Sequence, residues 1–127
     1  MMKQNENLLH AELTDKIIGC IYDVYNKLGY GFLEKVYENA LIIKLRQLGL
    51  EVVQQAPVNV HFEGSLVGEY IADLIVDDRV IIEVKAVSAL SQIHEVQLVN
   101  YLKGTGMQVG LLVNFGEKLK IVRRVLS

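Results

Sequence analysis

The sequence is short of the residues that make covalent or metal cross-links. Among its 127 residues there is one cysteine, Cys20, so neither a disulfide nor a zinc site built from cysteines can form within the chain. The three histidines, His10, His61 and His94, are far apart and form no local pair of ligands. We therefore expect neither a zinc centre nor histidine-based catalysis. Cys20 falls in a helical apolar pattern, which favours a buried and unreactive thiol.

The sequence also lacks a long hydrophobic run and an excess of basic residues. No stretch approaches the roughly 20 apolar residues of a membrane-spanning helix, and the first residues lack the apolar run of a signal peptide. We therefore expect a cytoplasmic protein that does not contact membranes. The net charge is −2, so no overall positive field attracts nucleic acid. This argues against a simple DNA-binding module, but not against a nuclease, because acidic metal ligands lower the total charge.

Apolar residues are abundant instead, at 51% of the chain, and one core of ordinary size can form. Residues 1–11 are polar and are predicted to be a mobile N-terminal segment, while residues 12–127 form a single domain. No internal repeat, linker or low-complexity segment interrupts that domain. The high apolar fraction makes a second subunit, hence a homo-oligomer, or another partner a candidate cover for part of the surface.

Hydrophobic periodicity predicts helices and strands that alternate along the chain. The expected helices run from a cap at Thr14 to Leu28, from Phe32 to Leu48, and from a cap at Ser91 to Lys103; the expected strands cover residues 51–55, 58–62, 68–76, 80–86, 108–115 and 119–125. The core-facing residues are predicted to be, for the second helix, Leu33, Val36, Tyr37, Ala40, Leu41 and Leu48, and, for the third, Leu90, Ile93, Val96, Val99 and Leu102. The single proline, Pro57, suits a strand start or an edge strand. The strand–helix–strand passage after Val80 predicts a crossover between parallel neighbours, and so an α/β sandwich with a mixed sheet.

The most informative stretch is a predicted β-hairpin from Asp73 to Lys85. Its two apolar runs, Leu74–Val76 and Val80–Ile82, flank an acidic turn. Asp73 directly precedes the first run and Glu83 directly follows the second, at positions where a buried strand should carry no charge. Glu83 and Lys85 alternate around Val84, so their side chains share one face of the strand.

The register of this hairpin decides whether its two carboxylates meet. A two-residue turn at Asp77 and Asp78 would place Asp73 and Glu83 on opposite faces of the sheet. A three-residue turn over residues 77–79, or one bulge, would pair Val76 with Val80 and set Asp73 directly opposite Glu83. We favour the second register, because the first buries one carboxylate on each face. The other face is then predicted to be core, with members Tyr70, Ala72, Leu74, Val76, Val80, Ile82 and Val84.

Two directly opposed carboxylates lie about 5 Å apart at Cβ and repel each other, unless a cation sits between them. Oxygen ligands with room for water suit Mg²⁺ or Mn²⁺. Lys85 could then hold an anionic group against the metal. From these residues alone, a structural ion-pair network of Asp73, Glu83 and Lys85 is an equal alternative.

Asp73 followed by Glu83-Val84-Lys85 resembles the core of the PD-(D/E)xK nucleases. More closely, the chain resembles the GxxExxY protein family, whose motif is present as Gly31-Phe-Leu-Glu34-Lys-Val-Tyr37. The similarity extends over roughly residues 12–125 through segments beginning at Asp73, Glu83, Gln97 and Gly110. It implies a restriction-endonuclease-like sandwich, with an antiparallel hairpin in a mixed sheet. Ala72 stands where the superfamily name has proline.

The resemblance also assigns roles to residues that the pattern alone leaves ambiguous. Glu34 could simply complement a helix dipole, but in the resembling nucleases an acid from this helix often reaches the metal. Gln97 and Tyr101, one helical turn apart, could be ordinary edge residues; they are similar to the Gln-x-x-x-Tyr element of exonuclease-like members. There Gln97 would steady the site or a phosphate, and Tyr101 would touch substrate.

These readings predict a nuclease that uses Mg²⁺ or Mn²⁺ to hydrolyse phosphodiester bonds of nucleic acid, with DNA favoured. Its metal ligands would be Glu34, Asp73, Glu83 and the Val84 carbonyl, and its catalytic residues Asp73, Glu83, Lys85 and Gln97. The alternative is a non-catalytic interaction module that keeps the nuclease fold. A purely structural acidic cluster is the third hypothesis.

Overall fold

The computed structural model describes residues 9–126, in which three helices enclose a five-stranded sheet. The helices are α1 (Ala11–Leu28), α2 (Glu34–Gln47) and α3 (Gln92–Thr105), and the strands are β1 (Val52–Phe62), β2 (Ser65–Val76), β3 (Val80–Lys85), β4 (Val109–Phe115) and β5 (Leu119–Val125). The strand order follows the chain, from β1 at one edge to β5 at the other. Only β3 and β4 are parallel neighbours, as the crossover through α3 requires. The predicted mixed α/β sandwich is confirmed.

The sheet has a separate apolar core on each face. Helices α1 and α2 cover one face, where Ile17, Leu41 and Ile82 are fully buried. Helix α3 covers the other, where Leu98 and Leu102 pack against the sheet. Strand β4 is buried along its whole length, as its continuous apolar run predicts. Cys20 is buried in the first core, and burial raises the pKa of its thiol, in agreement with the inert role expected for it.

The helix starts differ in part from the prediction. Thr14 does not cap α1 but lies inside it, with its hydroxyl donating to the Ala11 carbonyl 3.1 Å away. Ala11, placed by the sequence in the mobile segment, is the first residue of the helix; residues 1–8 of that segment lie outside the described part. Helix α2 begins two residues later than expected, at Glu34. Ser91 is the N-cap residue of α3, as expected, and its amide donates to Nδ1 of His94 at 3.2 Å.

The inward faces of α2 and α3 were predicted correctly only in part: Tyr37, Leu41 and Leu102 are buried as expected. Leu33 and Ile93 are 80% and 71% exposed, and Val36, Leu48 and Val96 are exposed as well. The side chains that α2 buries are Tyr37, Glu38, Leu41, Ile42 and Leu45, and those that α3 buries are Leu98, Tyr101 and Leu102. Each helix therefore turns a polar or aromatic residue toward the sheet at the place where the hairpin carries its acids.

Strand β1 is continuous where two strands were expected. The irregular backbone that separates the two predicted strands is confined to Gln55. Gln55 has a φ of 53°, which is rare in a strand. Val52 packs in the α1/α2 core, whereas Ala56, four residues on, packs in the α3 core. The side chains thus change faces at Gln55. Of the two positions expected for Pro57, the edge strand is confirmed and the strand start is wrong, because Pro57 lies inside β1 at the edge of the sheet. Within residues 9–126, none of the helices combines the length and the apolar character that crossing a membrane requires.

Candidate active site

The hairpin of β2 and β3 has the register that brings its acids together. Val76 pairs with Val80 across residues 77–79, and Leu74 pairs with Ile82. Both Asp77 and Asp78 have positive φ, and Arg79 donates its amide to the Val76 carbonyl at 3.0 Å. The predicted three-residue turn is therefore confirmed.

Beyond Leu74 and Ile82 the two strands are joined by side chains. Glu83 Oε2 accepts the Asp73 amide at 2.7 Å, and Asp73 Oδ2 accepts the Val84 amide at 2.8 Å. Each carboxylate thus binds the backbone of the opposite strand. We call this opening between β2 and β3, bounded by Asp73, Glu83 and the Val84 backbone, the carboxylate gap.

The gap coincides with a change of face in β2 that matches the one in β1. The pairs Gln54–Leu74 and Ala56–Ala72 flank the position where Gln55 would face Asp73. Leu74 belongs to the α1/α2 core but Ala72 to the α3 core, so β2 switches faces at Asp73. This switch corrects the expectation that Tyr70 lies in the same core as Leu74: Tyr70 is half exposed and lies on the α3 side.

Burial and mutual repulsion make both acids of the gap hard to ionise. Glu83 is 3% exposed, and desolvation followed by the charge of Asp73 raises its pKa to about 8. Desolvation also raises the pKa of Asp73, against the Val84 hydrogen bond, which lowers it. The charge of Lys85 favours both ionised forms, but less than burial opposes them. The pair is therefore poised to gain from an added cation.

Lys85 is half buried at the end of β3, near both acids. The ion pairs among residues 9–126 join Glu12 to Lys16, Lys35 to Glu38, Asp23 to Lys44 and Glu95 to Arg124, so none of them uses Lys85. The chain that follows it is held by Asn114, a buried residue whose amide both accepts from and donates to the Val87 backbone at 2.9 Å. Lys85 thus has a fixed backbone and an ammonium group available to an anion.

Helix α2 brings a second acid to the gap that the sequence analysis missed. Glu38 is 3% exposed, and its charge raises the pKa of both Asp73 and Glu83. Its Oε1 accepts hydrogen bonds from Gln54 at 3.0 Å and Gln55 at 2.7 Å. The unusual backbone of Gln55 therefore belongs to a network that reaches the site. Its position in the sequence could have indicated this, because Glu38 lies one helical turn after Glu34 and so on the same side of α2.

Glu34, the predicted ligand on α2, is exposed in the first turn of the helix. Its charge contributes to the raised pKa of Asp73, although less than that of Glu38. Tyr37 fixes the approach to this turn: its buried hydroxyl donates to the Gly29 carbonyl at 2.7 Å and accepts the Phe32 amide at 3.3 Å. Its ring stacks on Phe115 with centroids 4.4 Å apart. Tyr37, through these hydrogen bonds, and Gly31, whose φ is 110°, therefore shape the turn that leads to Glu34.

Helix α3 closes the other side of the gap. Gln97 donates to the Tyr101 hydroxyl at 2.9 Å, and Tyr101 is buried. Burial, then the charges of Glu83 and Asp73, raise the pKa of Tyr101, so its phenol lies beside the acids and stays protonated. The structure thus brings together five of the predicted site residues where α3 packs against the sheet: Asp73, Glu83, Lys85, Gln97 and Tyr101.

The donors of the gap fit a hard divalent cation. The two hydrogen bonds use one oxygen of each carboxylate, which leaves the other oxygen of each to coordinate a cation. The Val84 carbonyl faces the same gap as its amide, because both groups of a strand residue point to one neighbour. Within residues 9–126, no three His, Cys, Asp or Glu side chains are grouped so that they alone could hold a metal. Two carboxylates, a carbonyl and water are nevertheless a set that Mg²⁺ accepts.

Comparison with known proteins agrees with this fold. A family model described as the PD-(D/E)XK nuclease superfamily matches residues 11–125. A crystal structure of a protein called SSO0001 is similar, with a TM-score of 0.55 and 18% identity over 91% of this chain. That identity supports the fold alone, and the match spans 59% of the SSO0001 chain. The curated proteins gave no match. Because the family model covers nearly its whole length, this chain belongs to the PD-(D/E)XK nuclease superfamily.

Proposed function

We propose that this protein is a metal-dependent nuclease that hydrolyses phosphodiester bonds, with Mg²⁺ or Mn²⁺ in the carboxylate gap. The observation that supports it most is the convergence of the half-buried Asp73 and the buried Glu83, two carboxylates whose pKa values are both raised. Ionising both of them costs free energy, which a bound divalent cation would offset. Members of the superfamily are in general metal-dependent nucleases. We also place the chain in the GxxExxY family of that superfamily.

In this proposal Asp73, Glu83 and the Val84 carbonyl hold the cation, and Glu34 and Glu38 add negative charge from α2. A cation held there would supply Lewis acidity to the phosphodiester and would make water more acidic. Lys85 places a positive charge where negative charge develops on the phosphoryl group. Gln97 keeps the Tyr101 phenol in place, and both contact the substrate.

The proposal requires that the loss of one charged group of the site slow cleavage strongly. We expect Asp73→Asn and Lys85→Ala to cut the rate on DNA or RNA by roughly 100-fold or more, as removal of one preorganised group does. The measurement is a cleavage panel on single- and double-stranded DNA and RNA with Mg²⁺, with Mn²⁺ and with chelator. The matched control is Asp78→Asn, which makes the same change in the same hairpin at an exposed turn residue. Equal cleavage by wild type and Asp73→Asn would assign the activity to a contaminant.

A non-catalytic interaction module is the second candidate, and one observation favours it. A Glu83 pKa of about 8 leaves this acid largely protonated at neutral pH when no cation is bound. Calorimetry separates the two candidates: the nuclease gives heat on titration with Mg²⁺ or Mn²⁺ that Asp73→Asn removes, and the module gives none. A purely structural cluster predicts instead that Asp73→Asn destabilises the fold whether or not metal is present. The predicted cytoplasmic location and homo-oligomer stay predictions.

A further inference from the structure

A groove next to the carboxylate gap extends beyond the residues that the proposed chemistry uses. Residues 57–62 of β1 and 65–71 of β2 pair only with each other beyond the rest of the sheet, and we call them the arm. The groove lies between the arm and α3, with a volume of about 970 Å³. Gln97 and Tyr101 line it, so it is continuous with the gap. Its volume is in the range of sites that enclose a ligand.

The groove, unlike the gap, is lined by no acidic side chain. Its lining includes Lys103, His61 and His94 and no Asp or Glu. A chain with a net charge of −2 thus keeps carboxylates out of one concave surface that runs up to its acidic site. That arrangement suits a ligand that is anionic in the groove and meets a cation at the gap.

The walls of the groove suit flat apolar rings as well as charge. Ile93 and Val96 of α3 are exposed along it, although the periodicity of the helix had placed them in the core. The side-chain amides of Asn100 and Gln97 lie among these apolar groups and can donate or accept hydrogen bonds. Unstacked nucleobases need this combination of ring faces and polar edges.

Tyr70 provides a fixed aromatic surface on the arm. Its ring is half exposed, and its centroid lies 5.9 Å from that of Tyr101 in a tilted arrangement. Gly68 leaves room for this ring, since a Cβ there would come within 3.1 Å of it. The ring is therefore supported from behind by Tyr101 and alongside by Gly68. Its free face can accept a base.

We infer that this groove binds the bases of a single-stranded nucleic acid and feeds that strand to the carboxylate gap. The inference rests on the proposed nuclease and names its substrate class. A duplex keeps its bases stacked and presents only phosphates and groove edges, so it cannot place a base on Tyr70. Lys103 and the imidazoles contact the backbone, while Tyr70, Ile93 and Val96 contact the bases.

The test measures binding without cleavage, in chelator, by anisotropy of a labelled single-stranded oligonucleotide. We expect Tyr70→Ala to weaken binding about tenfold, because a stacked base loses its platform, and Tyr70→Phe to stay within about twofold of wild type because it keeps the ring. An oligonucleotide of equal length with abasic sites should bind wild type about tenfold more weakly and should no longer distinguish Tyr70→Ala. The matched control is Ile71→Ala, which changes an exposed neighbour of Tyr70 that does not line the groove.

Three results would overturn the inference: equal binding of intact and abasic strands, no effect of Tyr70→Ala, or tighter binding of duplex than of single strand. Cleavage in Mg²⁺ is scored separately. Cleavage of duplex alone would keep the nuclease and remove the base groove. Tyr70-dependent binding of single strands without any cleavage would keep the groove and remove the nuclease.

Discussion

At the scale of single residues, the protein keeps two acids in a place that disfavours their charge. Asp73 and Glu83 are each held by a backbone amide of the opposite strand, so neither can turn to solvent without breaking a hydrogen bond between strands. The energetic cost of this arrangement should be visible in the metal-free protein.

Glu83 makes the stability of the metal-free protein depend on pH. Its folded-state pKa of about 8 lies above the ordinary value of 4.5, so the folded state binds more protons than the unfolded chain between these values. The free energy of unfolding should therefore fall as pH rises through that window, by at most about 1.4 kcal/mol per unit. Urea denaturation in chelator at several pH values measures this slope.

Glu83→Gln should flatten the slope and stabilise the protein at the alkaline end, because the amide cannot ionise. Asp78→Asn is the control and should leave the slope as it is in wild type. A variant Glu83→Gln with the wild-type slope would show that another group causes the pH dependence.

At the scale of secondary-structure elements, α2 depends on one tyrosine for its position. The Tyr37 hydroxyl joins the Gly29 carbonyl and the Phe32 amide, one on each side of Gly31, whose φ is 110°. Few residues other than glycine adopt that backbone. The turn and the first residues of α2 therefore move together, and with them Glu34 and Glu38.

Tyr37→Phe should keep the ring stacked on Phe115 and lose both hydrogen bonds of the hydroxyl. We expect a loss of about 1–2 kcal/mol in unfolding free energy and a weaker response to Mg²⁺ or Mn²⁺ in calorimetry. Tyr25→Phe is the matched control, because its hydroxyl binds the Gly116 and Glu117 carbonyls, away from α2. If both variants lower metal affinity equally, the tyrosine acts on general stability and not on the position of α2.

The helices and strands were predictable where a single sequence pattern determined them. They were not predictable where a helix carries apolar residues on both its buried and its exposed face. The hairpin register followed from the cost of separating two carboxylates, and β4 followed from its unbroken apolar run. The inward faces of α2 and α3 followed only in part, because exposed Leu33 and Ile93 look like core residues in a sequence. The face switch at Gln55 left no signal either, since glutamine does not mark a positive φ. Tyr70 was misplaced for that reason.

At the scale of the whole molecule, α3 has to lie close to the sheet to bring Gln97 and Tyr101 to the acids. Two glycines permit this. A Cβ on Gly104 of α3 would come within 3.0 Å of Val58, and a Cβ on Gly110 of β4 would come within 2.7 Å of the buried Leu98. The two layers are therefore packed without space for another methyl group.

Gly110→Ala should destabilise the protein by about 1–3 kcal/mol, as overpacking of a core does. Leu98→Ala alone should cost about 2–5 kcal/mol. The double variant should cost less than the sum of the two, because the new methyl group enters the space that Leu98 leaves. Urea denaturation of all four proteins completes the cycle, and strict additivity would mean that the two side chains do not compete.

The paired hydrogen bonds across the carboxylate gap have a practical consequence. The amides of Asp73 and Val84 each touch one of the oxygens whose electron density a bound cation would withdraw. In ¹⁵N-labelled protein, the nitrogen and proton resonances of these two amides, one on each strand, should therefore shift when a cation binds. A titration with cation that follows the two amide signals would therefore measure occupancy of the site without a substrate, a dye or a turnover assay.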